Sequence, residues 1–180
     1  MANVKEIKDR MESIQSTMKI TNAMYMISSS KMKRARKVLA DTEPYFFGMQ
    51  AAIARILRHV PETDNIYFRQ ISEDVSPDKK KIGYVVVSAD KGLAGAYNHN
   101  VVKLAEEILA RPGQHKLYIV GELGRHYFKK HGVEIENSFQ YTVQKPTMHR
   151  ARDISGVLID EFRHGRLDEI HIVYTRMENS

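Results

Sequence analysis

The segment VKEIKDRMESIQSTMKITNAMYMISSSKMKRARKVL, residues 4–39, determines how the first part of this 180-residue chain is organised. Its apolar side chains, beginning with Val4 and Ile7, recur every three or four residues, which is the spacing of one face of an α-helix. The same spacing continues to Ile56, with no glycine before Gly48. It predicts a single helix of about 55 residues, roughly 80 Å long at 1.5 Å per residue.

The apolar stripe of this helix needs a partner, because such a long seam is normally buried against another helix in a parallel or antiparallel coiled coil. The sequence contains no second helical pattern of comparable length. Pro44 is the one interruption. Since a proline ring clashes with the carbonyl group four residues earlier, we expect a bend or a short break at residues 40–44.

Methionine is frequent along the seam. A buried helical seam is the simpler explanation, and unbranched, polarizable side chains also suit a surface that accepts more than one neighbour in turn. The residues alone leave both interpretations open. The methionines concerned are Met11, Met18, Met24, Met26 and Met32.

The composition is that of a folded protein, with 42% apolar and 28% charged residues. No apolar run approaches the roughly 18 residues of a membrane span, and the N-terminus lacks the apolar core of a secretory signal. We therefore expect a cytosolic or membrane-peripheral protein. The absence of cysteine excludes a disulfide framework, a zinc ribbon and a thiol nucleophile.

The formal net charge of +6 comes from one segment, residues 13–40, which holds six basic side chains and no acidic one. A basic segment of this kind suits nucleic-acid phosphates, an anionic lipid surface or an acidic protein surface. On a helix these charges spread around the circumference, which favours a solvated or protein-facing surface. The six residues are Lys19, Lys31, Lys33, Arg34, Arg36 and Lys37.

The pattern changes after the long helix. Residues 1–60 are predicted to be that helix, residues 61–81 a polar linker with room for one short strand or helical turn, and residues 82–180 an α/β domain. Alternating strands and helices at this spacing predict a Rossmann-like layer of mostly parallel strands. The predicted strands are 82–88, 116–120, a strand at 169–174 whose pattern is that of a buried strand, and a weak edge strand in 133–139. The predicted helices are 98–111, 123–131 and 153–163.

The loop SADKGLAGAYN, residues 88–98, follows the first strand and opens a helix, where α/β folds bind phosphates. Gly92 and Gly95 are three residues apart, so the loop matches neither GxGxxG nor GxxxxGK, and Lys91 precedes its glycine. We therefore predict a tight structural turn, including Asp90, that packs against a neighbouring element, and no nucleotide cofactor.

The remaining polar residues suggest no catalytic or metal site. The pairs His126 with His131 and His164 with His171 lack the i, i+4 spacing of a helical zinc site. Two adjacent acids, Asp160 and Glu161, point about 100° apart on a helix and are predicted to form a solvated face. A GxSxG motif and an HExxH motif are both absent.

Three segments together carry a family resemblance. These are IQSTMKITNAMYMISSSKMKRA (14–35), VVSADKGLAGAYN (86–98) and, more weakly, GRLDEIHIVY (165–174). In this order, and over nearly the whole chain, the sequence resembles the N-terminal portion of the gamma subunit of the rotary (F-type) ATP synthase. Met18 departs from the family pattern, where a polar residue is usual, as do Ala94 and Ala96, where cysteine and glycine are common.

The resemblance implies a central-stalk rotor subunit without a catalytic centre, which couples proton flow through a membrane ring to ATP synthesis or hydrolysis. The long helix would pair with the subunit's C-terminal helix and turn inside the alpha and beta head subunits. The α/β domain would bind the epsilon subunit and the proteolipid ring, on the cytoplasmic face of the cell membrane. The implied partner-binding residues are Lys19, Ile20, Thr21, Met24, Met26, Lys31, Lys33, Arg34 and Arg36.

Two further expectations follow. Because the family's C-terminal helix is not within these 180 residues, the exposed seam should cause self-association. The alternative is a nucleic-acid-binding module whose basic helix contacts phosphates, for which binding would weaken steeply with salt.

Overall fold

A computed structural model describes residues 3–59, 65–68, 79–140 and 142–177. The chain divides into two compact units, Met1–Asp64 and Asn65–Ser180. The first unit consists of helix α1, Val4–His59, which is 56 residues long. The predicted long helix is therefore confirmed.

Of the two alternatives predicted for residues 40–44, a bend or a short break, the break does not occur, because α1 continues through Pro44. Proline removes one helical hydrogen bond, whereas stopping the helix would require a second, unfavourable nucleation. The hydroxyl of Thr42 also donates to the carbonyl oxygen of Val38 at 2.7 Å, and this kind of side-chain bond is typical of slightly bent helices. A helix that continues through Pro44 is therefore lower in free energy than one that stops and starts again.

No residue of α1 is buried. Its apolar seam lies open to solvent, with Ile14 66%, Met18 58% and Ile53 46% exposed. An isolated helix gains little from propensity alone, and helices in proteins are stabilised mainly by packing an apolar face. The seam of α1 is thus an unsatisfied packing surface.

The second unit opens with a short 3-10 turn, Ile66–Phe68, in the segment predicted as a linker. The ring of Tyr67 stacks on Phe162 with centroids 5.9 Å apart. Residues 69–78 of that segment lie outside the described part of the chain. The other elements are β1 (Lys81–Val87), α2 (Tyr97–Leu109), β2 (Gln114–Val120), α3 (Glu122–Lys130), β3 (Asn137–Phe139), α4 (Met148–Arg163) and β4 (Glu169–Val173).

The four strands form one sheet in the order β3-β2-β1-β4, and all of the pairs are parallel. In the central register Val86 lies beside Ile119 on one side and Val173 on the other. The predicted parallel α/β layer is confirmed, and so is the weak edge strand, which is β3. Helix α4 begins five residues before its predicted start, because the Thr147 side chain caps it by accepting a hydrogen bond from the Arg150 N–H at 3.3 Å.

Alternating side chains of the sheet build a core on each face. One core unites the sheet with α2 and α3, and the other unites it with α4. The first contains Val86, Val101, Val102, Ala105, Leu117, Ile119, Phe128 and Val173, and the second contains Val85, Tyr118, Val120, Leu158 and Leu167.

Strand β4 corrects one sequence-based expectation, that residues 169–174 form a buried strand. Among the described strands it pairs only with β1 and so lies at an edge. Ile172 is 62% exposed and Tyr174 61% exposed. The β-branched residues of β4 resemble those of a central strand. However, no described strand pairs with the edge of β4 that faces away from β1.

Candidate functional site

The predicted partner-binding residues all lie on α1, between residues 19 and 36, over roughly 25 Å of helix. All are exposed except Arg36, which is half-buried. Successive helical residues are about 100° apart, so these side chains surround the helix instead of sharing one face. The segment can therefore contact partners on more than one side.

The apolar members of this segment are strongly exposed, with Ile20 at 62% and Met26 at 66%. Tyr25, which lies between two methionines, is 72% exposed and was not among the predicted residues. Exposed aromatic side chains are frequent anchors in protein interfaces. The hydroxyl of Thr21 donates to the carbonyl oxygen of Thr17 at 2.9 Å, so this predicted residue offers a partner mainly its methyl group.

The basic members carry charge that α1 itself does not neutralise. Within the described residues of α1, none of the six basic side chains of residues 13–40 forms an ion pair. Uncompensated charges of one sign raise the local potential and attract an acidic surface. The geometry therefore supports an electrostatic contact along this part of the helix.

The second candidate region is the loop after β1. The N–H of Ala89 donates to the Asn98 side-chain oxygen at 2.9 Å, and the hydroxyl of Tyr97 donates to the Val87 carbonyl at 3.3 Å. Burial raises the pKa of Tyr97 above its usual 10.0, so the hydroxyl keeps its proton and remains a donor. The base of the loop is thereby held in place.

Asp90 connects this loop to two other segments. One carboxylate oxygen accepts from the N–H of Glu122, the first residue of α3, at 3.3 Å, and the other accepts from the N–H of Gln144 at 3.2 Å. A carboxylate at a helix N-terminus is favourable because of the unpaired N–H groups there. The other residues predicted for the turn, Lys91, Gly92 and Gly95, are exposed.

Ser88, at the start of the same loop, connects it to β2 and to α3. It is fully buried, donates its hydroxyl to the Val120 carbonyl at 3.1 Å and accepts from the Gly124 N–H at 2.9 Å. Gly121 has a φ of 102° and approaches Ser88 closely. Sequence reasoning missed this role of Gly121, although a glycine directly after a strand is the available signal.

Leu93, at the tip of the loop, is a second feature that sequence reasoning missed. It is 92% exposed and has a φ of 63°, the left-handed region. That conformation costs a residue with a Cβ about 1–2 kcal/mol. Leu93 lies within residues 86–98, which carry the family resemblance, but no spacing in the sequence indicates its exposure or its left-handed backbone.

Glu122 lies beside the loop and is buried at the start of α3. The Arg125 guanidinium binds its Oε2 at 2.6 Å, and His126 lies 3.3 Å from the same oxygen. The hydrogen bond from Arg125 lowers the pKa of Glu122 below 4.5, against the effect of burial. Its Oε1 is buried and has no hydrogen-bond partner among the residues that the structure describes.

At the other end of the sheet, Glu161 corrects the predicted solvated acidic face. It is half-buried and binds Lys116 at 2.9 Å and Arg166 at 2.6 Å. Burial opposes ionisation of Glu161, but the hydrogen bonds from Lys116 and Arg166 outweigh it and lower its pKa below 4.5. Asp160 remains exposed, as predicted, and also binds Arg166. These contacts join β2 to α4.

The described residues contain no cluster of three or more histidine, aspartate and glutamate side chains placed to hold a metal ion. None of the described helices is both long and apolar enough to cross a membrane.

Similarity to known proteins extends over nearly the whole chain. A protein-family model described as ATP synthase matches residues 3–180. The ATP synthase gamma chain of Acetivibrio thermocellus is 41% identical over 177 residues, which are 98% of this chain and 59% of that protein. The sodium ion specific ATP synthase gamma chain of Acetobacterium woodii is 34% identical over 174 residues, which are 97% of this chain and 56% of that protein.

A solved structure agrees in fold. A chain in the cryo-EM structure of the Euglena gracilis mitochondrial ATP synthase, OSCP/F1/c-ring in rotational state 3, matches with a TM-score of 0.57 and 17% identity, covering 96% of this chain and 52% of that chain. At this identity the likeness concerns the fold alone. This chain spans under 60% of the length of the two curated relatives above, at 59% and 56%, and the nucleic-acid alternative finds no support in these comparisons.

Proposed function

This chain belongs to the ATP synthase gamma-chain family, and we propose that it acts as the central-stalk rotor subunit of an ATP synthase. It would couple ion flow through the membrane ring to ATP synthesis or hydrolysis in the head. One observation carries the proposal. The family match extends over residues 3–180, and so includes both the long helix and the α/β domain.

In this proposal α1 is the shaft. Its exposed seam pairs with a second helix of the subunit, and its outward residues contact the alpha and beta head subunits. A rigid helix with apolar side chains and unpaired positive charges is suited to transmit force by shape and charge. Residues 1–60 then form the shaft, 61–81 the connection and 82–180 the domain.

The α/β domain would bind the epsilon subunit and the ring of membrane proteolipids. The Euglena structure is described as containing F1 and the c-ring, which supports the head and the ring as partners. The protein would be peripheral, on the cytoplasmic face of the cell membrane, and held there by these contacts.

The subunit itself would be non-catalytic, with no cofactor and no bound metal, so that catalysis belongs to the head. The proposed contact residues are those predicted on α1, and Asp90, Lys91, Gly92 and Gly95 form a structural turn. The dual hydrogen bonding of Asp90 to Glu122 and Gln144 supports this role for the turn.

The 180-residue chain by itself should associate with further copies. Its apolar seam is exposed along the whole of α1, and exposed apolar surface of this extent drives association. Light scattering at micromolar concentration should report a species larger than a monomer. A monomer would contradict this part of the proposal.

The main experiment is affinity purification from solubilised membranes, using the tagged chain and a version extended to the length of its relatives. We expect the extended chain to recover the head subunits and the membrane proteolipid, and the 180-residue chain to recover less of both. Recovery of neither by the extended chain would overturn the proposed function.

A charge variant tests the shaft contact. Replacing Lys31, Lys33 and Arg34 with glutamine should reduce ATP-driven ion pumping by the complex, because it removes charge from the proposed contact. Replacing Lys5, Lys8 and Arg10 is the matched control, since it removes the same charge from the same helix. Equal loss in both variants would show that net charge, and not this contact, is responsible.

A further inference from the structure

The core positions of α1 follow an uninterrupted heptad repeat. From Val4 to Ile56 the steps alternate between three and four residues, and this 3.5-residue period is that of a coiled coil. The two positions of each heptad that face a partner helix are called a and d, and all of their side chains in α1 are exposed. Position a holds Val4, Met11, Met18, Tyr25, Met32, Leu39, Phe46 and Ile53. Position d holds Ile7, Ile14, Thr21, Ser28, Ala35, Thr42, Met49 and Ile56.

The two positions differ in size through the middle of α1. Between residues 18 and 42 each a position holds a large side chain, whereas each d position holds a threonine, a serine or an alanine. Packed helices place large side chains opposite small ones, because a protein interior tolerates neither voids nor overlap. A helix that covers this face must therefore alternate in size in the opposite sense.

A second copy of α1 meets this requirement when it runs antiparallel. Reversing one helix brings an a residue of one copy into the same layer as a d residue of the other. When Val4 is aligned with Ile56 of the second copy, every core position of both helices belongs to a layer. The central layers then combine Met18 with Thr42 of the second copy, Thr21 with Leu39 of the second copy, Tyr25 with Ala35 of the second copy, and Ser28 with Met32 of the second copy.

Other arrangements of two copies fit less well. In a parallel pair each layer joins identical residues, so that two Tyr25 side chains overfill one layer and two Ser28 side chains leave a gap in the next. Overfilled layers and cavities both destabilise a core. An antiparallel pair shifted by one heptad leaves two core residues of each helix without a layer, for example Ile53 and Ile56.

We propose that the 180-residue chain forms a symmetric dimer through antiparallel pairing of two α1 helices, with Val4 beside Ile56 of the second copy. Each helix contributes twelve large core side chains. Burial of such a side chain removes about 60–120 Å² from water, so the pair buries roughly 1,400 Å² or more, as much as a specific protein interface. The dimer rests on the proposed self-association of the chain and not on its role as a rotor.

Charge opposes the pairing at low salt. The basic segment 13–40 of one copy lies along the same segment of the other, and the nearest acidic residues of α1, Glu12, Asp41 and Glu43, lie beyond its two ends. Salt screens repulsion between exposed charges, so the dissociation constant of the dimer should fall as salt is raised. Binding of nucleic acid by the same segment would show the opposite dependence.

Disulfide cross-linking tests the direction and the register of the pair. The chain has no cysteine, so Thr21→Cys and Leu39→Cys each introduce a single thiol. The two thiols share a layer in the proposed dimer, where facing side chains come within reach of a disulfide. Oxidation should therefore link a mixture of the two variants and leave each variant alone unlinked, as judged by non-reducing electrophoresis and mass spectrometry. Self-linking of each variant would indicate a parallel pair and would overturn the proposal, as would an unlinked mixture.

A volume swap tests the packing of one layer. Ala35→Tyr places a second tyrosine opposite Tyr25, and overpacking of this kind should raise the dissociation constant by about tenfold to a hundredfold. The double variant Tyr25→Ala with Ala35→Tyr again pairs one tyrosine with one alanine and should return the constant to near the wild-type value. Ala23→Tyr is the matched control, because position 23 lies on the side of α1 opposite the core positions.

Analytical ultracentrifugation at several salt concentrations measures these constants. No residue of α1 is buried, so the variants leave the core of the α/β domain unchanged. Equal weakening by Ala23→Tyr, no recovery in the double variant, or a dimer that weakens with salt would contradict the proposal. A monomeric wild-type chain would contradict both the dimer and the proposed self-association. The rotor role fails separately, if the extended chain recovers no ATP synthase subunits.

Discussion

The carbonyl oxygen of Ser88 lies so near Gly121 that a Cβ atom on residue 121 would come within 2.3 Å of it. The two residues follow adjacent parallel strands, β1 and β2, and meet where both strands end. This close approach, together with a φ of 102° at Gly121, makes glycine necessary at that point. The junction that supports the loop after β1 depends on it.

Gly121→Ala should therefore lower the free energy of unfolding by about 2–5 kcal/mol, from the steric clash and the backbone strain together. Urea denaturation followed by circular dichroism measures the change. Gly156→Ala is the control, because Gly156 lies in α4 with no atom within 4 Å of a Cβ placed on it, and it should stabilise by roughly 0.5–1 kcal/mol. Similar midpoints for Gly121→Ala and wild type would contradict the steric argument.

Pro44→Ala should stabilise α1 by about 3 kcal/mol, because it restores a helical hydrogen bond and removes the ring clash. Thermal melting followed at the helical circular dichroism band should shift upward. Ala51→Gly, in the same helix, should shift it downward by an amount corresponding to about 1 kcal/mol. An unchanged melting curve for Pro44→Ala would mean that this turn of α1 does not contribute to the transition.

Glu161→Gln should destabilise the domain by roughly 1–3 kcal/mol at neutral pH, since Lys116 and Arg166 lose their shared charged partner. The pKa of Glu161 is lowered in the folded state, so its contribution is complete above the unfolded value and is lost as pH falls through the folded value. The difference between variant and wild type should thus shrink below pH 4.5.

Asp153→Asn is the matched control for the predicted pH dependence of Glu161→Gln at acidic pH. Asp153 pairs with His149 on an exposed surface, and exposed pairs contribute about 0–1 kcal/mol. Urea midpoints measured across the acid range compare the two variants. A pH-independent difference for Glu161→Gln would show that packing, not ionisation, accounts for its effect.

Tyr118→Phe should reduce the decrease in the free energy of unfolding that the wild-type chain shows at alkaline pH. Burial, assisted by the nearby Glu161 carboxylate, raises the pKa of Tyr118 to about 12 from 10.0. A group with a raised folded pKa stabilises the fold at lower pH, and this contribution is lost as pH rises through the window from 10.0 to about 12. Denaturation midpoints across that window, with the exposed Tyr174→Phe as control, test this, and parallel curves for Tyr118→Phe and wild type would contradict it.

Local patterns predicted the elements well, because each depends on neighbours along the chain. The helical spacing from Val4 and the β-branched run 82–88 both specify their own structure. Contacts between distant residues had no such signal. Glu161 meets Lys116 only once α4 lies across the sheet, and the edge position of Ile172 follows from strand order.

The candidate sites divide in the same way. The basic segment can be found from the sequence alone, because counting the charges of residues 13–40 requires no knowledge of the fold. The conformation of Leu93 and the contact of Ser88 with Gly121 are tertiary properties. The contact of Ser88 with Gly121 arises where β1 and β2 end side by side, and no spacing rule in the sequence predicts it.

The exposure of α1 has a consequence for how this chain resists proteases. A helix with no buried residue opens readily, and readily opened segments are where proteases cut. We therefore expect limited proteolysis to cut α1 sooner in a copy of this chain without a partner than in a copy whose seam is covered.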